Sequence, residues 1–200
     1  MSNSKIVNKR LESTKEYIDA LQEKHSKLLI VRVDLGYKKP HSDNIVLDDA
    51  NKDFNRMLNN RRSKPSVFKD QVGYMCLKEY TKDKGVHLHT AFFYDGNKVQ
   101  KDVYKGNQIG EYWKSLTDDK GSYYNCNREE YKNKGIGMLH HSDTEKREIL
   151  DEHVTSYLCK DDEKQDITPI KGNSKDRAFV RGTIPKAKNK DGRPRISNIP

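Results

Sequence analysis

The chain has 200 residues, 32% hydrophobic and 34% charged, with a formal net charge of +9. That length suits one domain with tails, and the polar balance calls for a compact core under a heavily charged surface. No apolar run approaches a membrane span, and the N-terminal MSNSKIVNKR holds no apolar signal core, so a helical membrane protein is excluded and a cytoplasmic location is expected. Cys76, Cys126 and Cys159 share no framework spacing, which predicts reduced thiols. The positive charge favours a polyanionic partner through counterion release.

Residues 1–26 place Leu11, Ile18 and Leu21 on one helical face and predict an N-terminal helical extension. LLIVRVDL, Leu28 to Leu35, is a β-branched apolar run that reads as a buried strand. Residues 47–62 form a helix whose apolar stripe is Val46, Ala50, Phe54, Met57 and Leu58. Val72 to Tyr80 and Val86 to Tyr94 alternate as strands, and the TKDKG turn between them predicts an antiparallel hairpin. Asp102 to Leu116 reads as a helix that Gly106 and Gly110 weaken. Short strands follow at 122–125 and 136–140, then a helix from Asp143 to about Lys160, then an edge strand at 177–181. After Gly182, five Lys or Arg stand against a single Asp among several prolines, which predicts a flexible basic tail over 183–200. Strands and helices mix without βαβ alternation, so residues 27–182 are expected to form an α+β domain: an antiparallel sheet of about five strands with helices packed on it.

His87-Leu88-His89 is the sharpest local feature. In a strand both imidazoles project to one face and Leu88 to the other, and two imidazoles can share a divalent cation. Two ligands make a poor site, but the hairpin brings Glu79 across from the pair. A carboxylate and two imidazoles can hold Mg²⁺ or Mn²⁺ and leave positions open for a phosphate oxygen. Near the end of the last helix, Tyr157 and Lys160 are three apart on one face, with His153 four before the tyrosine. A tyrosine hydroxyl can attack phosphorus once deprotonated, and a neighbouring lysine lowers the cost of the phenolate. Singly, each motif also fits a hydrogen-bonded histidine pair, a solvated glutamate or a core tyrosine.

Taken in order, a hydrophobic strand, an acid, HxH on a strand and a helix bearing YxxK form the pattern of the HUH endonuclease superfamily. The strings LLIVRVDLGY, CLKEYTKDKGVHLHTAFFYDGNKV, IGEYW, YNCNR, GIGMLHHSDTEKRE and YLCK resemble the inovirus gene-two-type replication proteins, also met as the YagK/YfjJ C-terminal domain, over about residues 27 to 182. The resemblance implies a ferredoxin-like variant of the Rep fold and a rolling-circle replication initiator. It implies that His87, His89 and Glu79 bind the divalent ion. Tyr157 would form a 5′-phosphotyrosyl link at a replication origin in single-stranded or supercoiled DNA, with Lys160 as the motif lysine. No helicase P-loop is present, so a host helicase and polymerase would complete the cycle. Arg128, Lys186, Lys188 and Arg193 are candidate DNA contacts. His140-His141 offers a second metal or phosphate contact, although adjacent side chains in a strand point apart. Two other readings fit the same residues: a non-catalytic prophage or plasmid DNA-binding regulator, and a structural zinc protein.

Overall fold

The computed structural model describes residues 3–160, 167, 170–172 and 176–186. Its centre is a six-stranded antiparallel sheet of β1 (Lys27–Tyr37), β2 (Gln71–Thr81), β3 (Gly85–Asp95), β4 (Gly121–Asn125), β5 (Gly137–His140) and β6 (Phe179–Arg181). The order is β4-β1-β3-β2-β6, with β5 also paired to β1. The α+β expectation therefore holds, with one strand more than about five.

Helices cover both faces. On one lie α2 (Leu47–Asn59), the short α3 (Pro65–Phe68) and α4 (Asp102–Leu116), packed against Leu29, Val31, Val33 and Leu35 of β1. On the other lie α1 (Asn3–Lys24), with Tyr17, Ile18 and Leu21, and the C-terminal helical segment with Leu150, Val154 and Leu158. These pack on Leu28 and Ile30 of β1, Met75 and Leu77 of β2, and Ala91 and Phe93 of β3. Burial on both faces explains why the central strands read as near-continuous apolar runs. Each fully buried Leu, Ile or Phe contributes about 1.5–3 kcal/mol.

Several boundaries differ from expectation for local reasons. Val46 is extended (φ −96°, ψ 167°) and caps α2 from outside, 52% exposed, so Leu47 takes its place in the buried stripe. The α2 helix ends at Asn59, and β6 starts at Phe179 rather than 177. Gly106 and Gly110 do not interrupt α4. They let it press against β4, because a Cβ at Gly110 would lie 2.1 Å from the Tyr123 ring and one at Gly106 2.4 Å from the Asn125 amide. The last helix is not uniform. A π-helical turn, Asp151–Thr155, separates α5 (Thr144–Leu150) from α6 (Ser156–Cys159).

Strand β1 has a gap to bridge. It pairs with β5 through residues 27–30 and with β4 through 33–37. The buried Asn127 side chain spans the interval, accepting from the Arg32 amide at 2.7 Å and donating to the Ile30 carbonyl at 3.0 Å. A single amide thereby stands in for a missing strand and satisfies backbone groups that burial would otherwise leave unpaired.

Candidate active site

On one face of the sheet the three central strands change character in step. Along β1, Leu28 and Ile30 lie in the core, and the same row continues with Arg32 and Asp34. Along β3, Phe93 and Ala91 give way to His89 and His87, and along β2, Met75 and Leu77 give way to Glu79. The register aligns these polar ends: Asp34 pairs with His89, and Glu79 with His87. Leu88 points to the opposite core, as the two-residue period requires.

The Glu79 carboxylate is the hub. Its Oε2 lies 2.9 Å from His89 Nε2 and 3.5 Å from His87 Nε2, and its Oε1 lies 3.1 Å from Lys160 Nζ. One ligand atom from each of Glu79, His87 and His89 falls within 4.8 Å of the others, so this buried group could hold a metal ion. The far sides of the imidazoles fix their proton positions. His87 Nδ1 meets the Gly85 carbonyl at 3.0 Å, and because a carbonyl only accepts, Nδ1 carries the hydrogen. His89 Nδ1 lies 2.9 Å from Asp34 Oδ1, within ion-pair distance although the pair falls short of full hydrogen-bond geometry. A carboxylate at that position favours the proton on Nδ1 and leaves the Nε2 lone pair facing Glu79. Two Nε2 lone pairs and a carboxylate oxygen then converge, an arrangement that a cation resolves.

Electrostatics agree with the geometry. Burial alone would raise the Glu79 pKa. When the imidazoles instead carry a hydrogen on Nε2, His87, His89 and Lys160 all donate to Glu79, and these hydrogen bonds outweigh burial and hold the carboxyl well below the usual carboxylate range. Burial works against a charged His89, yet Asp34 and Glu79 together raise its pKa.

Tyr157, on α6, reaches this cluster. Its hydroxyl is 3.1 Å from His89 Nε2, and its ring stands edge-on to the His89 ring at 5.2 Å. Two cations lie over the tyrosine ring: Lys160 Nζ at 4.1 Å and the Arg32 guanidinium carbon at 4.6 Å from its centre. Burial and then the charge of Glu79 push the Tyr157 pKa up, while Lys160 and Arg32 pull it down.

The structure thus brings Glu79, His87, His89, Tyr157 and Lys160 together. Arg128 is exposed in the 3₁₀ turn after β4, and Lys186 is exposed beyond β6; Lys188 and Arg193 lie outside the described residues. His153 lies in the π turn and is exposed, and its Nε2 meets Asn133 Nδ2 at 3.1 Å. The chain turns after His140, which brings the His140 and His141 rings to 4.5 Å, and His140 Nδ1 contacts the Ser142 hydroxyl at 2.7 Å. Among the described residues, neither belongs to a group of three metal-ligand side chains. Sequence reading missed Arg32 and Asp34. Their signal was present: two opposite charges, two apart, inside an apolar strand.

Beside the histidines lies an open groove of about 650 Å³, lined by Asp34, Lys39, Lys84, Tyr123 and Tyr124 among others. Among the described residues, no helix is long and apolar enough to cross a membrane. No curated protein and no solved structure matches the chain. The family model of the YagK/YfjJ C-terminal domain matches residues 1–173, and with most of its length so matched, the chain belongs to that family.

Proposed function

We propose that this protein is a metal-dependent, single-tyrosine DNA-nicking and strand-transfer enzyme that initiates rolling-circle replication. The observation that carries this reading is the Tyr157 hydroxyl, 3.1 Å from His89 Nε2 at the edge of the Glu79-His87-His89 cluster. A nucleophile and a Lewis-acid site so close together suit attack on a phosphodiester.

A divalent ion, Mg²⁺ or Mn²⁺, held by Glu79, His87 and His89 would polarise a phosphodiester oxygen. The chain's own residues supply the rest. Asp34 and the Gly85 carbonyl keep the two Nε2 atoms available. Lys160 and Arg32 put positive charge beside the Tyr157 ring and lower the cost of its phenolate. Once the Glu79 charge is shared with a bound cation, the strongest charge opposing that ionisation is reduced. The Tyr157 oxygen bonds to phosphorus and the P–O3′ bond breaks. This leaves a 5′-phosphotyrosyl link and a 3′-oxygen that takes up a proton. Attack by a 3′-hydroxyl on that link rejoins a strand. Host helicase and polymerase would unwind the template and extend the free end.

The groove beside the histidines supports a single-stranded substrate. It combines the exposed Tyr124 with Tyr123, Lys39 and Lys84, and aromatic faces alternating with cations suit stacked bases and a phosphate backbone. Arg128, Lys186, Lys188 and Arg193 would add salt-sensitive phosphate contacts.

The test is incubation with single-stranded DNA carrying the origin region plus Mn²⁺, followed by a denaturing gel. The wild-type protein should yield a covalent protein–DNA adduct that EDTA abolishes. Tyr157→Phe should bind DNA and form none. An adduct that survives this substitution refutes the nucleophile, and DNA binding without any adduct would mark a non-catalytic DNA-binding protein.

A further inference from the structure

Arg32 faces a second cleft. It has a volume of about 290 Å³ and is walled by Arg32, Tyr131, Asn133, Ile136, His153 and Val154. None of the three metal-ligand candidates lines it. Arg32 is therefore the wall this cleft shares with Tyr157, on whose ring its guanidinium lies.

Each part has a chemistry. Tyr131 is an aromatic ring left 41% exposed, whereas Ile136 and Val154 are buried and apolar. Asn133 and His153 meet at 3.1 Å and offer an amide and an imidazole edge. Arg32 Nε is buried without a hydrogen-bond partner among the described residues, and its nearest carboxylate oxygen, on Asp34, is 3.8 Å away. A stacking face, an apolar wall, a hydrogen-bonding edge and a cation beside the nucleophile together match one nucleotide. Single-stranded nucleic acid is recognised by stacking splayed bases on aromatic rings and hydrogen-bonding their edges.

We propose that this cleft is a subsite for one unpaired nucleotide of a DNA strand, the one adjoining the phosphodiester presented to Tyr157. Its base stacks on Tyr131, its edge meets Asn133 and His153, and Arg32 holds its phosphate. The placement beside the scissile bond rests on the nicking function, whereas nucleotide recognition by the cleft does not.

The experiment is fluorescence anisotropy with labelled oligo-dT, oligo-dA and oligo-dC in EDTA, where no cleavage occurs. It compares wild type with Tyr131→Ala, Tyr131→Trp and the double variant Asn133→Ala/His153→Ala. All three positions are exposed, so folding should survive, and an unchanged melting temperature and Mn²⁺-induced thermal shift verify that the rest of the site is intact. Loss of one stacked base weakens binding by roughly fivefold or more. Tyr131→Ala should show that loss, Tyr131→Trp should restore affinity, and the double variant should level the differences among the three oligonucleotides. Wild-type affinity and base profile in both alanine variants would overturn the subsite, as would wild-type protein that binds none of the oligonucleotides. If the variants behave as expected while wild type forms no tyrosyl adduct on origin DNA, the nicking function fails and the nucleotide subsite stands.

Discussion

Replacing Glu79 by Gln keeps the side chain's shape and removes its charge, so it tests the hub of the site directly. Glu79 is buried and faces His89 at 2.9 Å, Lys160 at 3.1 Å and His87 at 3.5 Å. Removing one partner of a buried charge pair costs about 3–5 kcal/mol, and a glutamine that retains some hydrogen bonding brings this to roughly 2–3 kcal/mol. For a domain of this size that lowers the melting temperature of the metal-free protein by about 4–12 °C. The more decisive quantity is the response to metal. With Mn²⁺ a hundredfold above its dissociation constant, wild type gains about 2.7 kcal/mol, or roughly 5–11 °C. If the lost ligand weakens binding about a hundredfold, the same Mn²⁺ concentration gives E79Q only about 0.4 kcal/mol, a shift of about 1–2 °C. Differential scanning fluorimetry over a Mn²⁺ titration reads both numbers. An E79Q protein with the full wild-type Mn²⁺ shift would refute Glu79 as a ligand, however unstable it proved.

Two further predictions concern the frame that holds the site. Gly110→Ala puts a methyl group 2.1–2.3 Å from ring carbons of Tyr123, so the ring must move; the overpacking should cost about 1–3 kcal/mol in urea melts. Because Tyr123 lines the groove beside the histidines, DNA affinity should fall with it, and unchanged stability would show that α4 does not press on β4 as described. Asn127→Ala removes the bridge along β1 and leaves the Arg32 amide and Ile30 carbonyl unpaired, along with a 2.9 Å contact to Asp102. The loss should be about 2–4 kcal/mol, and hydrogen exchange at the Arg32 amide should accelerate in the native state. Wild-type protection at that amide would mean that Asn127 does not span the gap.

Much of the site was legible because strand periodicity is strict. The alternation of β2 and β3 and the length of the TKDKG turn were enough to place Glu79 across the hairpin near the His pair, and the observed register sets it opposite His87. The boundaries of α4 also followed from its apolar spacing. What was not legible depends on packing between distant segments. Nothing local to Asp151–Thr155 encodes a π turn; Leu150, Val154 and Leu158 all stay buried through it, so core packing sets the path of the backbone. Asn127 looks like an ordinary loop residue until β4 and β5 are seen to leave β1 uncovered between them. Arg32 and Asp34 are a different case. Reading LLIVRVDL as one buried run hid the fact that its two charges share a face, and a charge pair at i and i+2 within a core strand is itself a sign of a site.

The position of that polar row explains why the cluster can be both rigid and reachable. Arg32 and Asp34, His89 and His87, and Glu79 each follow apolar residues of the same strand and face that are locked in the core, so their backbones have little freedom. The core behind them lowers the local dielectric, which strengthens every charge contact around Glu79. The groove beside His87 and His89 and the cleft behind Arg32 leave the outer side open. This arrangement has one strict requirement. A slip of a single residue in the β2–β3 hairpin would put Leu88 in place of His87 and His89 on the face of Glu79, so the hairpin register and the geometry of the cluster are specified by the same residues. Tyr157 and Lys160 meet a different constraint: no strand pairing holds α6, which is placed by the packing of Leu158 and by Arg10 of α1, whose guanidinium donates to the Cys159 and Lys160 carbonyls at 3.3 and 3.1 Å. The Glu79-His87-His89 cluster and Tyr157 are therefore set by different interactions, the former by hairpin register and the latter by contacts of its helix with α1 and of Lys160 with Glu79.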